Sequence, residues 1–299
     1  MILKSRIRYV AARPVLGPLF NTLGARVLAA SPVAAGMSRA DVRAFVEALW
    51  RWRYSKLRVD PIEFLEEFGR IKLEMILAMS RHAAARFDVP LVDVPVRGRW
   101  EVKFEVRDQF TPGESTADAR DHWAGTDVMF WNIVAGLKWE PHIFERKHLA
   151  GASVLDYGCN VGALAYLTRR HGARALTLVD VPGAALDFAG SFHADVATVL
   201  PVVSDLPPAG LERQRCQVAY CYHVLEHVPE PLAVARAIHQ ALETGGIFYV
   251  TFVSLPETVG GCNLKEAQSV RPQVLAFLKE AFEVVRWNEA RVEYCLRKR

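Results

Sequence analysis

Long hydrophobic runs are missing from this sequence of 299 residues. The longest uncharged stretches near the N-terminus, 14–25 and 27–38, are about a dozen residues each, whereas a bilayer span needs roughly 20 apolar residues. Cysteine is scarce too. Cys159, Cys216, Cys221, Cys262 and Cys295 make an odd number with no CxxC pair and no two-by-two spacing suited to zinc, so a reducing, cytoplasmic compartment fits best. Neither sign of charge dominates: 37 Lys and Arg against 33 Asp and Glu leave +4, too weak a bias to argue for nucleic acid. Repeats and low-complexity segments are absent. Apolar residues are plentiful at 51%, which excludes fibrous and fully disordered chains, and the length is about two domains' worth.

Acid is missing locally. Residues 1–40 hold Lys4, Arg6, Arg8, Arg13, Arg26 and Arg39 without one Asp or Glu. Such a segment suits a basic stretch on an anionic membrane surface, an Arg-rich targeting presequence, or an arm packed on its own protein. Pro14, Gly17, Pro18, Gly24 and Pro32 interrupt any long helix and favour the arm, residues 1–38, with peripheral membrane contact as the open alternative.

Residues 39–145 read as a mainly helical cap. Ser38 and Asp41 form a capping box, and Val42, Phe45, Val46 and Leu49 recur at helical spacing, which predicts a helix over 39–57. Asp60, Pro61 and Glu63 repeat the start signal for a helix over 61–86. Trp100, Val102, Phe104 and Val106 alternate with charge, as in a half-exposed strand. Six of the seven tryptophans (Trp50, Trp52, Trp100, Trp123, Trp131, Trp139) precede residue 140. They would either fill a small helical core or line a pocket for an apolar or aromatic ligand.

From residue 146 the pattern becomes α/β. Apolar runs at 154–157, 176–179, 198–203, 218–223 and 247–253 alternate with helical stretches, which implies a parallel sheet covered on both faces. Two further runs, 282–287 and 292–296, are too close together for a crossover and must be antiparallel. The first run enters VLDYGCNVG, a glycine-bearing turn opening a helix at about 162–171. There Gly158 and Gly162 let backbone approach a nucleotide. Asp180 ends the second run, where a carboxylate can accept both hydroxyls of a ribose, and Asp205 follows the third. A nicotinamide enzyme is disfavoured by Asp156 before the first glycine, by Ala163 at the third glycine position and by the final antiparallel pair.

VLDYGCNVG, TLVDVP, SDLP and VAYCYHVLEHVPEPLAVARAIHQALETGGIFYVTF, in this order and spacing, resemble the class I S-adenosylmethionine-dependent methyltransferases over residues 150–299. The resemblance implies a Rossmann-like, seven-stranded, mostly parallel sheet with an antiparallel C-terminal strand pair, and S-adenosyl-L-methionine as cofactor with S-adenosyl-L-homocysteine as product. It implies that Asp156 and Gly158 lie beside the methionine moiety, Asp156 meeting the ammonium directly or through water. Asn160 stands in the turn where a glycine is commoner, and Gly162 opens the helix. Asp180 would hold the ribose, Val181 the adenine face, Asp205 and Leu206 the adenine edge, and Tyr222 and His223 the region near the sulfonium. Gln217 replaces the usual Asp before the fourth strand.

His223, Glu226 and His227 form an HxxEH string that on a helix would match an inverted zinc-protease motif. Here His223 ends a strand-like run and Pro229 and Pro231 follow, so no metal is assigned, although some class members gather substrate oxygens around a divalent ion at this place. His227 or His223 would serve as base for an oxygen nucleophile; local scaffold is the equal alternative. His122, His142, Asp118, Asp121 and Glu145 are secondary candidates for a lid, and the loop 254–268 borders the substrate opening. With neither an NPPY-like string nor a Pro-Cys nucleophile, the expected acceptor is a small, apolar or aromatic molecule methylated on oxygen, lipid- or quinone-like. A noncatalytic methyltransferase-like protein, an RNA methyltransferase and a nicotinamide-dependent oxidoreductase are the alternatives. Nothing in the sequence speaks to oligomeric state.

Overall fold

The computed structural model describes residues 22–57, 70–87, 146–253, 264–288 and 293–299, in two compact units. The expected strand at 100–106, residues 254–263 of the loop expected over 254–268, Trp100, Trp123, Trp131, Trp139 and the lid candidates His122, His142, Asp118, Asp121 and Glu145 lie outside the described residues, whereas residues 265–268 of that loop are instead the first turn of a helix.

The first unit's described part is helical: α1 over 22–29, a 3-10 turn Pro32–Ala34, α2 Arg39–Leu57 and α3 Arg70–Phe87. The capping box at α2 is formed, with Asp41 N–H donating to Ser38 Oγ (3.1 Å) and Ser38 N–H to Asp41 Oδ2 (3.3 Å). Leu28, Val42, Phe45, Val46, Leu49, Leu73, Ile76 and Met79 are buried. Gly24 lets α1 close on α2, since a Cβ there would stand 3.0 Å from Val46 Cγ1. Arg81 donates to the Val33 carbonyl and ties α3 to the 3-10 turn. Of the helix expected over 61–86, residues 70–87 are seen and 61–69 lie outside the described residues. No described helix is long and apolar enough to cross a membrane.

The second unit alternates strand and helix: β1 Ser153–Tyr157, α4 Ala163–Arg170, β2 Ala175–Asp180, α5 Ala184–Phe192, β3 Ala197–Pro201, β4 Cys216–Cys221, α6 Pro231–Ala241, β5 Leu242–Thr251, α7 Lys265–Ala281, β6 Phe282–Asn288 and β7 Glu293–Lys298. The sheet runs β3-β2-β1-β4-β5-β7-β6, with β1 to β5 parallel and β7 antiparallel to both β5 and β6. Alternate side chains leave opposite faces. Leu155, Tyr157, Phe248 and Val250 join Val234, Ile238, Val274 and Leu278 of α6 and α7. Val154, Ile247 and Tyr249 join Ala165 of α4 and Leu186 and Ala189 of α5. Each fully buried aliphatic or Phe side chain contributes roughly 1.5–3 kcal/mol, so these two layers dominate the unit's cohesion.

Most strand ends shift from expectation by one or two residues, and three of the differences have a visible local reason. β3 stops at Pro201, past which Val202 N–H turns to the Asp180 carbonyl (2.8 Å). β4 stops at Cys221 because His223 adopts φ +55, outside the strand region. β5 begins at Leu242, through a register shift opposite Cys216 and Val218. Gln217 lies inside β4 and staples three strands: its Oε1 accepts from Ser153 N–H (2.7 Å) and its Nε2 donates to Glu243 (2.7 Å). Ahead of β1, His148 Nδ1 meets the Tyr249 hydroxyl at 2.7 Å.

Candidate functional site

β1 pairs with β2 on one side and β4 on the other, so the chain reverses direction across the sheet at β1 and opens a crevice at its carboxyl edge. Asp156 is opposite Leu178 and Tyr220 in register. It is 4% exposed, and its Oδ2 has no hydrogen-bond partner among the described residues. Burial, reinforced by the nearby Asp180 charge, raises its pKa to about 7 against the pull of the Ala165 N–H. Asp180, at the end of β2, is raised by burial to about 6, although the N–H groups of Asn160 (2.6 Å) and Val181 (2.7 Å) donate to its two oxygens.

The turn between β1 and α4 explains the GCN string. Gly158, Asn160 and Gly162 all have positive φ, at +80, +50 and +72, and Asn is among the few residues with a side chain that accept this region readily. The Gly158 and Cys159 N–H groups both donate to the Val179 carbonyl (2.7 and 3.1 Å), closing β1 against β2. A Cβ on Gly158 would fall 2.1 Å from Val224 Cγ2, and one on Gly162 would fall 3.0 Å from the His193 ring. Only bare backbone fits at these two points. Cys159 and Cys221 flank the turn as buried free thiols, both pushed well above the usual thiol range by burial first and by neighbouring carboxylates second.

Past β4, His223 N–H donates to the buried Thr251 Oγ1 (2.7 Å), and His223 Nδ1 lies 3.2 Å from Glu226 Oε1. Residues Leu225–His227 form a 3-10 turn that places His227 Nε2 4.0 Å from the same oxygen. Glu226 is 1% exposed, and its Oε2 has no partner among the described residues. With His223 before that turn and His227 ending it, the two histidines do not share a helical face, which removes the zinc-protease reading. No cluster of three or more potential metal ligands occurs among the described residues.

The structure thus brings Asp156, Gly158, Asn160, Gly162, Asp180 and Val181 to the ends of β1 and β2, and Tyr222, His223 and His227 to the end of β4. Asp205 and Leu206 stand in the solvent-facing turn beyond β3, Leu206 being 57% exposed. Sequence reasoning missed several contributors. Val224 fills the space above Gly158, His193 Nε2 holds the Gly162 carbonyl (3.0 Å), Thr251 anchors His223, and Glu293 accepts from the Tyr222 hydroxyl (3.4 Å). Only the small Gly158 carried a signal that something must approach there.

Residues 140–282 match the family model of a methyltransferase domain. That match takes in just under half of the chain. The observed sheet, with its antiparallel β7, agrees with the resemblance seen in the sequence. The chain is 32% identical over 114 residues to a ubiquinone biosynthesis O-methyltransferase of Pseudomonas paraeruginosa, covering 38% of this chain and 49% of that protein. It is 33% identical over 118 residues to the protein of the same name in Paraburkholderia phytofirmans, covering 38% and 49%. The chain therefore spans about half the length of the curated relatives it matches. A solved structure, a putative S-adenosylmethionine dependent methyltransferase from Listeria monocytogenes, is similar at 12% identity and TM-score 0.37, over 52% of this chain and 94% of that one. Within the matched residues, the buried Asp156, the partly buried Asp180 and the bare-backbone turn beside them could hold a cationic, hydroxyl-bearing ligand.

Proposed function

We propose that this protein is an S-adenosylmethionine-dependent methyltransferase that methylates an oxygen of a small, apolar or aromatic molecule. The observation that carries the reading is the Asp156 Oδ2, buried and without a partner among the described residues, beside a turn where a Cβ at Gly158 would collide with Val224. An ionised carboxylate in that position is stabilised by a cation, and the ammonium of a methionine moiety supplies one. Asp180 accepts one backbone N–H on each oxygen and keeps further lone pairs for two ribose hydroxyls. Val181 would lie against the adenine, Asp205 and Leu206 at its edge, and Tyr222 and His223 beside the methionine chain.

The bound cofactor supplies a methyl group already activated on a sulfonium. What this chain must do is orient the acceptor in line with that methyl, exclude water and take the acceptor's proton. The names of the relatives support an oxygen atom on a quinol-like ring. Isothermal titration of the protein and of Asp180→Ala with S-adenosylmethionine, S-adenosylhomocysteine and NAD tests the reading. Micromolar binding of the first two, lost in the variant and absent for NAD, is expected; no binding overturns the proposal. Binding without transfer to any phenol or quinol would make the domain a noncatalytic relative.

A further inference from the structure

Building on the methyl-transfer reading, we propose that His223 rather than His227 takes the acceptor's proton, and that the buried Glu226 carboxylate is the residue that positions it. The two histidines flank one oxygen, and distance separates them. His223 Nδ1 is within hydrogen-bond range of Glu226 Oε1 at 3.2 Å, while His227 Nε2 stands at 4.0 Å, beyond it. Solvent access separates them again, with 31% of the His223 side chain exposed against 19% for His227.

Backbone geometry points the same way. His223 holds φ +55, an uncommon left-handed conformation for a residue with a side chain, although His is among the types enriched there, and such positions cluster at functional sites. The enforcing contacts are visible: its N–H is anchored on the buried Thr251 Oγ1 (2.7 Å), and its ring packs edge-on against Tyr222 at 4.7 Å. Glu226 is held in turn, because its own carbonyl accepts from Leu264 N–H at the start of α7 (2.9 Å). Among the described residues, Glu226 from the 3-10 turn and Tyr222 from its own segment lie against this imidazole. Glu293 of β7 acts through the Tyr222 hydroxyl.

A carboxylate accepting from Nδ1–H selects one tautomer and leaves the lone pair on Nε2, the arrangement of a base oriented by a third group. In the transfer step the acceptor's O–H proton passes to Nε2 and the oxygen pair forms the new C–O bond. The S–C pair returns to sulfur, and the imidazolium beside Glu226 later yields its proton to water. Glu226 is a positioning residue, since it acts through His223.

The test uses the full chain and its Glu226→Gln, His223→Gln and His227→Gln variants, with catechol as the probe acceptor. S-adenosylhomocysteine binding is measured for each variant as the check on folding. Long-range 1H–15N spectra of histidine-labelled protein read the tautomer. Glu226→Gln is expected to bind S-adenosylhomocysteine within about twofold of wild type and to lose roughly 10–100-fold in kcat, with the acid limb of its pH profile displaced to lower pH. Its His223 signal should shift away from the Nδ1–H tautomer seen in wild type. His223→Gln should lose more than His227→Gln. A kcat loss in Glu226→Gln with neither the acid limb nor the tautomer moved, or a deeper loss in His227→Gln, would overturn the assignment. If catechol is not methylated, a wild-type His223 found as the Nε2–H tautomer overturns it alone, and the Nδ1–H tautomer upholds it. Failure of the wild type to bind S-adenosylhomocysteine sinks the methyltransferase reading itself and this inference with it.

Discussion

Replacing Asp156 by Asn should make the ligand-free protein more stable and, at the same time, unable to hold its cofactor. In the folded chain, burial with help from the Asp180 charge raises the Asp156 carboxyl from 3.8 to about 7. A carboxyl with a raised folded-state pKa binds its proton more tightly in the native state than in the unfolded one. Its contribution to stability is therefore full below about pH 4 and is lost as pH rises through 7. Roughly three pK units at about 1.4 kcal/mol each make the loss on the order of 4 kcal/mol by pH 8. Asp180, raised to about 6, loses a smaller amount over the lower part of the same window. Asp156→Asn removes the larger loss, so at pH 8 it should exceed wild type by about 2–4 kcal/mol, with the gap closing towards pH 4. Urea unfolding at several pH values, with and without saturating S-adenosylhomocysteine, measures both halves of the claim. The ligand should raise the wild-type midpoint and leave that of the variant where it was. A variant less stable than wild type at pH 8, or one stabilised equally by the ligand, would refute the reasoning.

Two further substitutions probe the scaffold of the site. Gly158→Ala must accept φ +80 and a Cβ 2.1 Å from Val224 Cγ2, costing roughly 2–6 kcal/mol from backbone strain and overpacking together. Adding Val224→Ala should recover at least about 1 kcal/mol in thermal unfolding, and no recovery would mean that the collision is not the cause. Gln217→Leu leaves Ser153 N–H and Glu243 without their staple and should lower stability by about 1–3 kcal/mol; an unchanged denaturant midpoint would contradict a structural role for that amide.

The sheet was legible because strands buried on both faces appear as short, nearly continuous apolar runs, as at Leu176–Val179 and Val218–Cys221. Helix α2 was legible from its capping box and its stripe of Val42, Phe45, Val46 and Leu49. The first half of β5 was not, because Glu243-Thr244-Gly245-Gly246 reads as a turn and is carried into the sheet only by the register shift opposite Cys216 and Val218. At the site, Asp180 and the glycines stood out through their positions at strand ends, and Asp156 through the family resemblance. The burial of Glu226 did not. Nor did the approach of Val224 to Gly158, residues 66 apart, which exists only once β1 and β4 pair. Such contacts belong to the assembled tertiary structure and leave no local periodicity to read.

Cys159 and Cys221, flanking the turn between β1 and α4, are chemically quiet. Attack on a disulfide, a peroxide or an alkylating agent requires a thiolate, and Cys159 and Cys221 are both kept protonated by the apolar packing and carboxylates around them. The carboxylates that would receive the proposed cationic ligand thereby also passivate the crevice's sulfur. On that reading, an electrophilic methyl donor would sit beside two cysteines without meeting a competing nucleophile from them.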